Sequence, residues 1–183
     1  MSSTESLRKD HLLIEKMVKS LEVIIELFKS KKEIPVEILK QTIDFTTNFT
    51  NVCHHGKEEE SLFPSLQKNG MPKDGGPIAR MLYEHKITDQ LTDKIKESFE
   101  EYVNTKNNEK LINDIQNYID HVSSHLMKEN FRLFVMADMI LKNQSGEIAE
   151  EMKLVEKKKL KEIGKNREHY EHIVTSIESK LKK

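Results

Sequence analysis

The chain has 183 residues, of which 33% are charged and 36% hydrophobic, and its formal net charge is −1 at pH 7. This length predicts one domain, or one domain with an appendage, and the low Gly and Pro content without Trp favours helices. Acidic and basic residues are interspersed, so the sequence shows no basic footprint typical of a nucleic-acid-binding protein. The Lys-rich segment 153–165 is the exception, and its interleaved Glu residues favour a solvated helix face over a polyanion site. No apolar run approaches the length of a membrane span.

Apolar residues recur every three or four positions in five segments, which predicts five helices. The predicted helices span residues 5 to 31, 36 to 68, 78 to 103, 110 to 142 and 148 to 181, each with approximate ends, and the last is interrupted near Gly164. Turn-forming residues separate them, and no segment alternates as a strand does. The predicted fold is all-α: an up-down-up-down four-helix bundle at residues 1–145, with an additional C-terminal helix at 146–183 packed on the bundle.

Two of these helices carry the same motif, in which a His is followed after four positions by a Glu and then by a Leu-Phe pair. The motifs are His54-x-x-x-Glu58 with Leu62-Phe63, and His125-x-x-x-Glu129 with Leu133-Phe134. The spacing of four places the His and the Glu on one face of a helix. Two matched pairs in one bundle indicate helices that meet at a metal, and these donors suit iron, zinc or manganese.

Each bundle helix has a histidine in or beside its inward-facing stripe, namely His11, His54, His85 and His125. One such histidine alone is more often an ordinary core residue. Four of them with two carboxylates favour a metal centre, because a buried carboxylate without a partner is costly. If neighbouring helices alternate in direction, all six residues lie towards one end of the bundle. Six donors are too many for one closed zinc site and suit two metals bridged by both Glu.

The segment Cys53-His54-His55-Gly56-Lys57-Glu58-Glu59-Glu60-Ser61-Leu62-Phe63-Pro64 resembles the His-x-x-x-Glu-Glu-x-x-Leu-Phe-Pro segment of hemerythrin-like proteins, also called HHE cation-binding domains. Three other motifs resemble that family in the same order: Asp10-His11, Gly75-Gly76-Pro77 with Glu84-His85, and His125 to Asn130. The resemblance implies two non-haem iron ions bridged by carboxylates. The implied metal ligands are His11, His54, Glu58, His85, His125 and Glu129.

The resemblance also implies a role in binding or sensing O2, peroxide or NO, or in handling iron. The leading hypothesis is a metal-binding or sensing protein whose partner is a small diatomic or peroxide ligand. A di-iron enzyme that turns over peroxide or O2 is the alternative, as is repair of iron–sulfur centres under nitrosative stress. No nucleic-acid or membrane partner is predicted. The single cysteine, Cys53, and the absence of an apolar leader predict a cytoplasmic protein.

Three further residues are left open as members of the site. Oxygen-carrying hemerythrins have a second His one turn after the third-helix His; this chain has Asp89 there, for which a supporting role beside His85 is favoured. His55 with Glu59 is expected about 100° around the helix from His54, as a solvated pair or as one that supports the ligands, because the Leu-Phe-Pro register selects His54 as the ligand. His121 is expected to be a boundary residue.

The second helix also has an outer apolar stripe, made by Phe45, Phe49, Val52 and Phe63. A two-faced helix in a small bundle needs cover on its outer side. The C-terminal helix is predicted to provide that cover. A second subunit is the alternative, so a homodimer is left open.

Overall fold

The computed structural model describes residues 2–182, and over that range it is all-helical, as the sequence predicts. The elements in chain order are α1 (Glu5–Lys29), α2 (Val36–Asp44), π1 (Phe45–His54), α3 (His55–Lys57), π2 (Glu58–Leu62), α4 (Phe63–Lys68), α5 (Pro77–Thr105), α6 (Glu109–Lys128), π3 (Glu129–Leu133), α7 (Phe134–Ile140), a 3-10 turn (Lys142–Gln144), α8 (Ser145–Ile163) and α9 (Arg167–Leu181). With α1 counted as the first rod and α5 as the third, the elements from α2 to α4 form a continuous second rod at 36–68, and those from α6 to α7 form a continuous fourth rod at 109–140.

The helix ends follow ordinary capping chemistry. Pro77 lies in the first turn of α5, where its missing N–H leaves no bond unmade. Gly164 ends α8 with a φ of +74°, a backbone conformation that favours glycine. The side chain of Asn166 then accepts a hydrogen bond from the backbone N–H of His169 at 2.8 Å and caps α9. The predicted interruption near Gly164 is therefore confirmed, and it divides the last helix into a hairpin of α8 and α9.

Wide helical turns interrupt the second and fourth rods at the repeated motif. The backbone N–H of Phe63 donates to the carbonyl of Glu58, and that of Phe134 donates to the carbonyl of Glu129. Both bonds span five residues instead of four. The repeated Leu-Phe pairs thus lie where a π turn that starts at the Glu closes. A π turn changes the face that the following residues occupy, and such turns are frequent at functional sites.

Two apolar clusters fill the interior. The larger one combines residues of α1, the first part of the second rod, α5 and α6 with Leu160, Tyr170, Ile173, Val174 and Ile177 of the hairpin. The smaller one includes Leu7, Leu62, Phe63, Leu133, Phe134, Ile148 and Met152. On each rod, the residues predicted as metal ligands lie between the positions that enter these two clusters. The polar site is therefore a layer enclosed by apolar packing on both sides.

The α8–α9 hairpin covers part of the outer stripe of the second rod. The ring of Tyr170 lies 6.0 Å from that of Phe45 and 5.5 Å from that of Phe49, between ring centroids. Tyr170 of α9 thus covers these two residues. Phe63 does not lie on the outer side: it stacks on the imidazole of His85 with ring centroids 5.8 Å apart, and it belongs to the smaller cluster together with Ile148 and Met152 of α8. No helix within residues 2–182 is both long and apolar enough to cross a membrane.

We expect Phe49→Ala to lower the free energy of unfolding by about 3–5 kcal/mol, because it leaves a cavity beneath Tyr170. Phe131→Ala is the matched control, since Phe131 is 75% exposed and should change stability by less than about 0.5 kcal/mol. Urea denaturation of the metal-free protein measures both values. Equal losses in the two variants would contradict the packing of the hairpin on π1.

Candidate metal centre

The six residues predicted as metal ligands meet in one buried layer. His11 comes from α1, His54 and Glu58 from the second rod, His85 from α5, and His125 and Glu129 from the last rod. Each is at most 2% exposed. Their donor atoms form two overlapping groups that could each hold a metal ion: His11, His54, Glu58 and Glu129 in the first, and Glu58, His85, His125 and Glu129 in the second. Both carboxylates belong to both groups.

The spacing of the donor atoms matches that of ligands around a metal. In the first group, His11 Nε2 lies 3.2 Å from His54 Nε2 and 3.2 Å from Glu129 Oε2. In the second group, His125 Nε2 lies 3.3 Å from Glu129 Oε1, and His85 Nε2 lies 3.2 Å from Glu58 Oε2. Donors bound to one metal at about 2.1 Å are about 3 Å apart when their bonds are at right angles.

The other nitrogen of each of these imidazoles faces an oxygen atom. His11 Nδ1 lies 2.8 Å from Asn130 Oδ1, and His54 Nδ1 lies 3.3 Å from Asp10 Oδ2. The partners of the remaining two are Glu59 Oε1, 2.7 Å from His85 Nδ1, and Glu84 Oε2, 3.0 Å from His125 Nδ1. An Nδ1–H that donates to an oxygen leaves the Nε2 lone pair free, which is the arrangement that supports a metal-bound histidine.

Several buried atoms of this layer have no hydrogen-bond partner among the described residues. They are both carboxylate oxygens of Glu58, both of Glu129, and Nε2 of His85 and His125. An unsatisfied buried polar group is destabilising, more so when it is charged. In addition, the Nε2 atoms of His11 and His54 lie 3.2 Å apart, and they would face each other as lone pairs if each ring carries its proton on Nδ1. A cation between these atoms would satisfy all of them, so the donor set fits bound metal.

The electrostatics of the layer also favour a positive charge. Burial alone would raise the pKa of the Glu129 carboxyl, but the imidazoles of His125 and His11 hold that pKa well below its ordinary value. Burial likewise opposes protonation of His85, yet Glu129 and Glu58 raise the pKa of this imidazole well above its ordinary value. The carboxylates thus attract protons onto the histidines, and the same attraction acts on a metal ion.

His55 lies inside the layer, which corrects the sequence-based expectation. It is 3% exposed, and its ring stacks on that of His85 with centroids 3.7 Å apart and planes 7° apart. Donor atoms of His55, His85 and His125 lie within 4.8 Å of one another. The expected separation of 100° from His54 assumed a regular α-helix, whereas the N–H of His55 closes a π turn onto the carbonyl of Thr50.

The other two open residues lie outside the donor layer. Asp89 is exposed, and the carboxylate beside His85 Nδ1 comes from Glu59. The favoured role of Asp89 was therefore wrong, because the partner of His85 comes from the neighbouring rod rather than from its own helix. His121 is half-buried and donates from Nε2 to the backbone carbonyl of Glu84 at 3.0 Å. This agrees with the prediction of a boundary residue.

A buried ion network lies behind His54, and the sequence analysis did not predict it. Asp10 and Lys57 are fully buried and paired, and Lys57 Nζ also lies 2.8 Å from Glu156 Oε2 on α8. Arg167 Nη1, on α9, lies 2.8 Å from Asp10 Oδ1. Asp10 thereby links a predicted metal ligand to the hairpin. Only the adjacency of Asp10 to His11 hinted at this role.

Cys53 precedes His54 in the chain but faces the larger apolar cluster. Its side chain is fully buried, and burial raises the pKa of the thiol to about 12. The thiol is therefore protonated at neutral pH and acts as a packing residue, as the sequence predicts.

Comparison with protein families matches the model of the hemerythrin HHE cation-binding domain to residues 2–137. The chain belongs to this family. No curated protein and no solved structure gives a significant match. The six predicted ligands all fall within the matched part of this HHE protein, whereas Glu156 and Arg167 lie beyond it.

We expect Lys57→Met to lower the free energy of unfolding by about 3–5 kcal/mol, because it leaves the Asp10 carboxylate buried without its nearest cation. Lys158→Met is the control: Lys158 is 59% exposed where it pairs with Glu60, and such pairs contribute about 0–1 kcal/mol. Chemical denaturation at neutral pH compares the two. Equal effects would show that the buried network adds nothing to stability.

Proposed function

We propose that this HHE protein binds two iron ions bridged by Glu58 and Glu129. The observation that carries the proposal is the division of Glu129 between the two donor groups. Its Oε2 atom lies 3.2 Å from His11 Nε2, and its Oε1 atom lies 3.3 Å from His125 Nε2. Glu58 Oε2 likewise lies between His85 Nε2 at 3.2 Å and His54 Nε2 at 3.9 Å. A carboxylate in this position can bind two metals at once.

The donor set favours iron over zinc. Structural zinc sites are closed and tetrahedral, with mostly Cys and His ligands, whereas this layer supplies imidazole and carboxylate donors to each of two positions. A carboxylate-bridged iron pair supplies reversible binding or reduction of O2, peroxide or NO. The histidines would hold the ions, the two Glu residues would bridge them, and the acceptors of the Nδ1 protons would fix the orientation of the rings.

The enclosure of the layer supports a small ligand. All six donors are buried, and aromatic rings lie against them: Phe134 stacks on His11 at 4.9 Å and Phe63 on His85 at 5.8 Å. This enclosure favours a diatomic molecule or peroxide over a larger substrate. We propose binding or sensing of such a ligand as the function, with iron handling and peroxide turnover as the alternatives to be separated by assay.

We further propose that the four rods of residues 1–145 alternate in direction and that residues 146–183 form an extension packed on them. The supporting observation is that ligands near the starts of the first and third rods meet ligands well inside the second and fourth. Alternating direction brings these positions to one level.

The test is anaerobic loading with ferrous iron. We expect metal analysis to saturate at about two ions per chain, and we expect the visible spectrum to change on adding O2, peroxide or NO. Saturation at one ion would contradict the bridged pair. Sustained consumption of peroxide would assign the protein to enzymes instead of to binding proteins.

A pair of neighbouring variants tests which carboxylate bridges. We expect Glu58→Gln to lose at least one iron, because it removes a shared donor. Glu59→Gln should keep both ions and release them about 10- to 100-fold faster, because it replaces the carboxylate that accepts from His85 Nδ1 with a neutral amide, which supports the imidazole less strongly. Metal counts before and after chelator challenge distinguish them. A full count in Glu58→Gln with an empty site in Glu59→Gln would contradict the assignment.

A sensor is the second candidate, and the link through Asp10 favours it. Asp10 contacts the His54 ring through Oδ2 and Arg167 of α9 through Oδ1. A shift of His54 on oxidation or ligand binding would thus act on the α8–α9 hairpin. Hydrogen exchange of α9 in the reduced and oxidised iron-loaded protein tests this. Identical protection of the α9 amides in the two states would contradict a sensor function and would favour a protein that only binds its ligand.

A further inference from the structure

The imidazole of His55 is a nitrogen donor that the six-ligand centre leaves unused. It is 3% exposed and lies within the same layer as the two shared carboxylates. Its ring packs face to face on His85 and edge-on to His125, with a centroid distance of 5.7 Å to the latter. His55 therefore adjoins both histidines of the second donor group, and the first group holds the other two.

The backbone explains why two consecutive histidines point into one site. On a regular α-helix, neighbouring residues lie about 100° apart, which would take one of the pair out of the layer. Here the N–H of His55 bonds to the carbonyl of Thr50, five residues back, and π1 ends at His54. A second π turn then starts at Glu58. These turns let the rod present His54 to one donor group and His55 to the other.

We propose that His55 is a fifth nitrogen ligand, bound to the metal that His85 and His125 hold. The proposal rests on the proposed iron pair. Its donor atom lies within 4.8 Å of those of His85 and His125. An imidazole binds a metal in the plane of its ring, so the binding that we propose includes a rotation of the His55 ring that opens its parallel stack on His85. The donors would then be three imidazoles for one metal and two for the other, with both carboxylates shared.

Two variants separate metal binding from packing. His55→Phe keeps an aromatic ring on His85 but removes both nitrogens. His55→Ala leaves space that free imidazole can enter. His121→Ala is the matched control, because its ring lies 6.2 Å from His125 on the same helix and donates to backbone. Each protein is loaded with ferrous iron, counted, challenged with a ferrous chelator, and then oxidised for a visible spectrum.

We expect wild type and His121→Ala to hold two irons with the same spectrum. His55→Phe and His55→Ala should release one of their two irons at least about tenfold faster and show an altered spectrum. Added imidazole should restore the retention of iron and the spectrum in His55→Ala only. Thermal melts of the metal-free proteins exclude misfolding as the cause.

Wild-type retention and spectrum in His55→Phe would overturn the proposal, and so would impairment in His55→Ala alone without imidazole rescue, since both make His55 a packing residue. A wild-type protein that saturates at one iron contradicts the bridged pair instead. The release rate of that single iron from His55→Phe would still report on His55. The two failures are therefore distinguishable.

Discussion

The structure depends on two carboxylates placed where water does not reach them. Glu58 and Glu129 are fully buried, and none of their four oxygen atoms has a hydrogen-bond partner among the described residues. Two ionised groups in such a place are tolerable only if positive charge is brought to them. Each of the four rods supplies at least one imidazole to the carboxylates. The attraction between these groups raises the pKa of His85 and lowers the pKa of Glu129. The apolar clusters on both sides exclude water, which strengthens these attractions.

Residues around the metal centre hold the imidazoles in place through oxygen atoms that face their Nδ1 atoms. Each of the four predicted histidines faces an oxygen through Nδ1, and these oxygens come from several elements rather than from one. Glu84 shows how strongly such a residue can be held. Burial opposes its ionisation, but His125, Lys128 and Arg80 lower the pKa of this carboxyl to about 2. The carboxylate therefore stays ionised at any physiological pH and keeps the tautomer of His125 fixed.

The sequence predicted what depends on local spacing. The His-x-x-x-Glu pairs, the helix boundaries near Pro77 and Gly164, and the convergence of four histidines all follow from periodicity and turn residues. It failed where the backbone departs from the α-helical period. His55 was expected in a solvated or supporting position and Phe63 on the outer stripe, as a regular helix would place them, whereas both are buried in a rod whose backbone contains π turns. It also failed for partners in another element: nothing in the chain near His85 singles out Glu59, and nothing near Asp10 indicates Arg167. Such pairings depend on how the rods rotate against each other, which periodicity does not encode.

The position of Cys53 has a consequence for the durability of the protein. A metal centre that meets oxidants exposes its surroundings to damage, and a thiolate is the side chain that oxidants attack first. The only thiol of this chain is one residue from a proposed ligand, yet it points into hydrocarbon and remains protonated because its pKa is raised to about 12. Repeated exposure to peroxide would therefore leave this sulfur reduced, and the folded protein would resist thiol-modifying reagents. If the centre binds oxidants as proposed, the fold would thus keep this thiol in its unreactive, protonated form beside it.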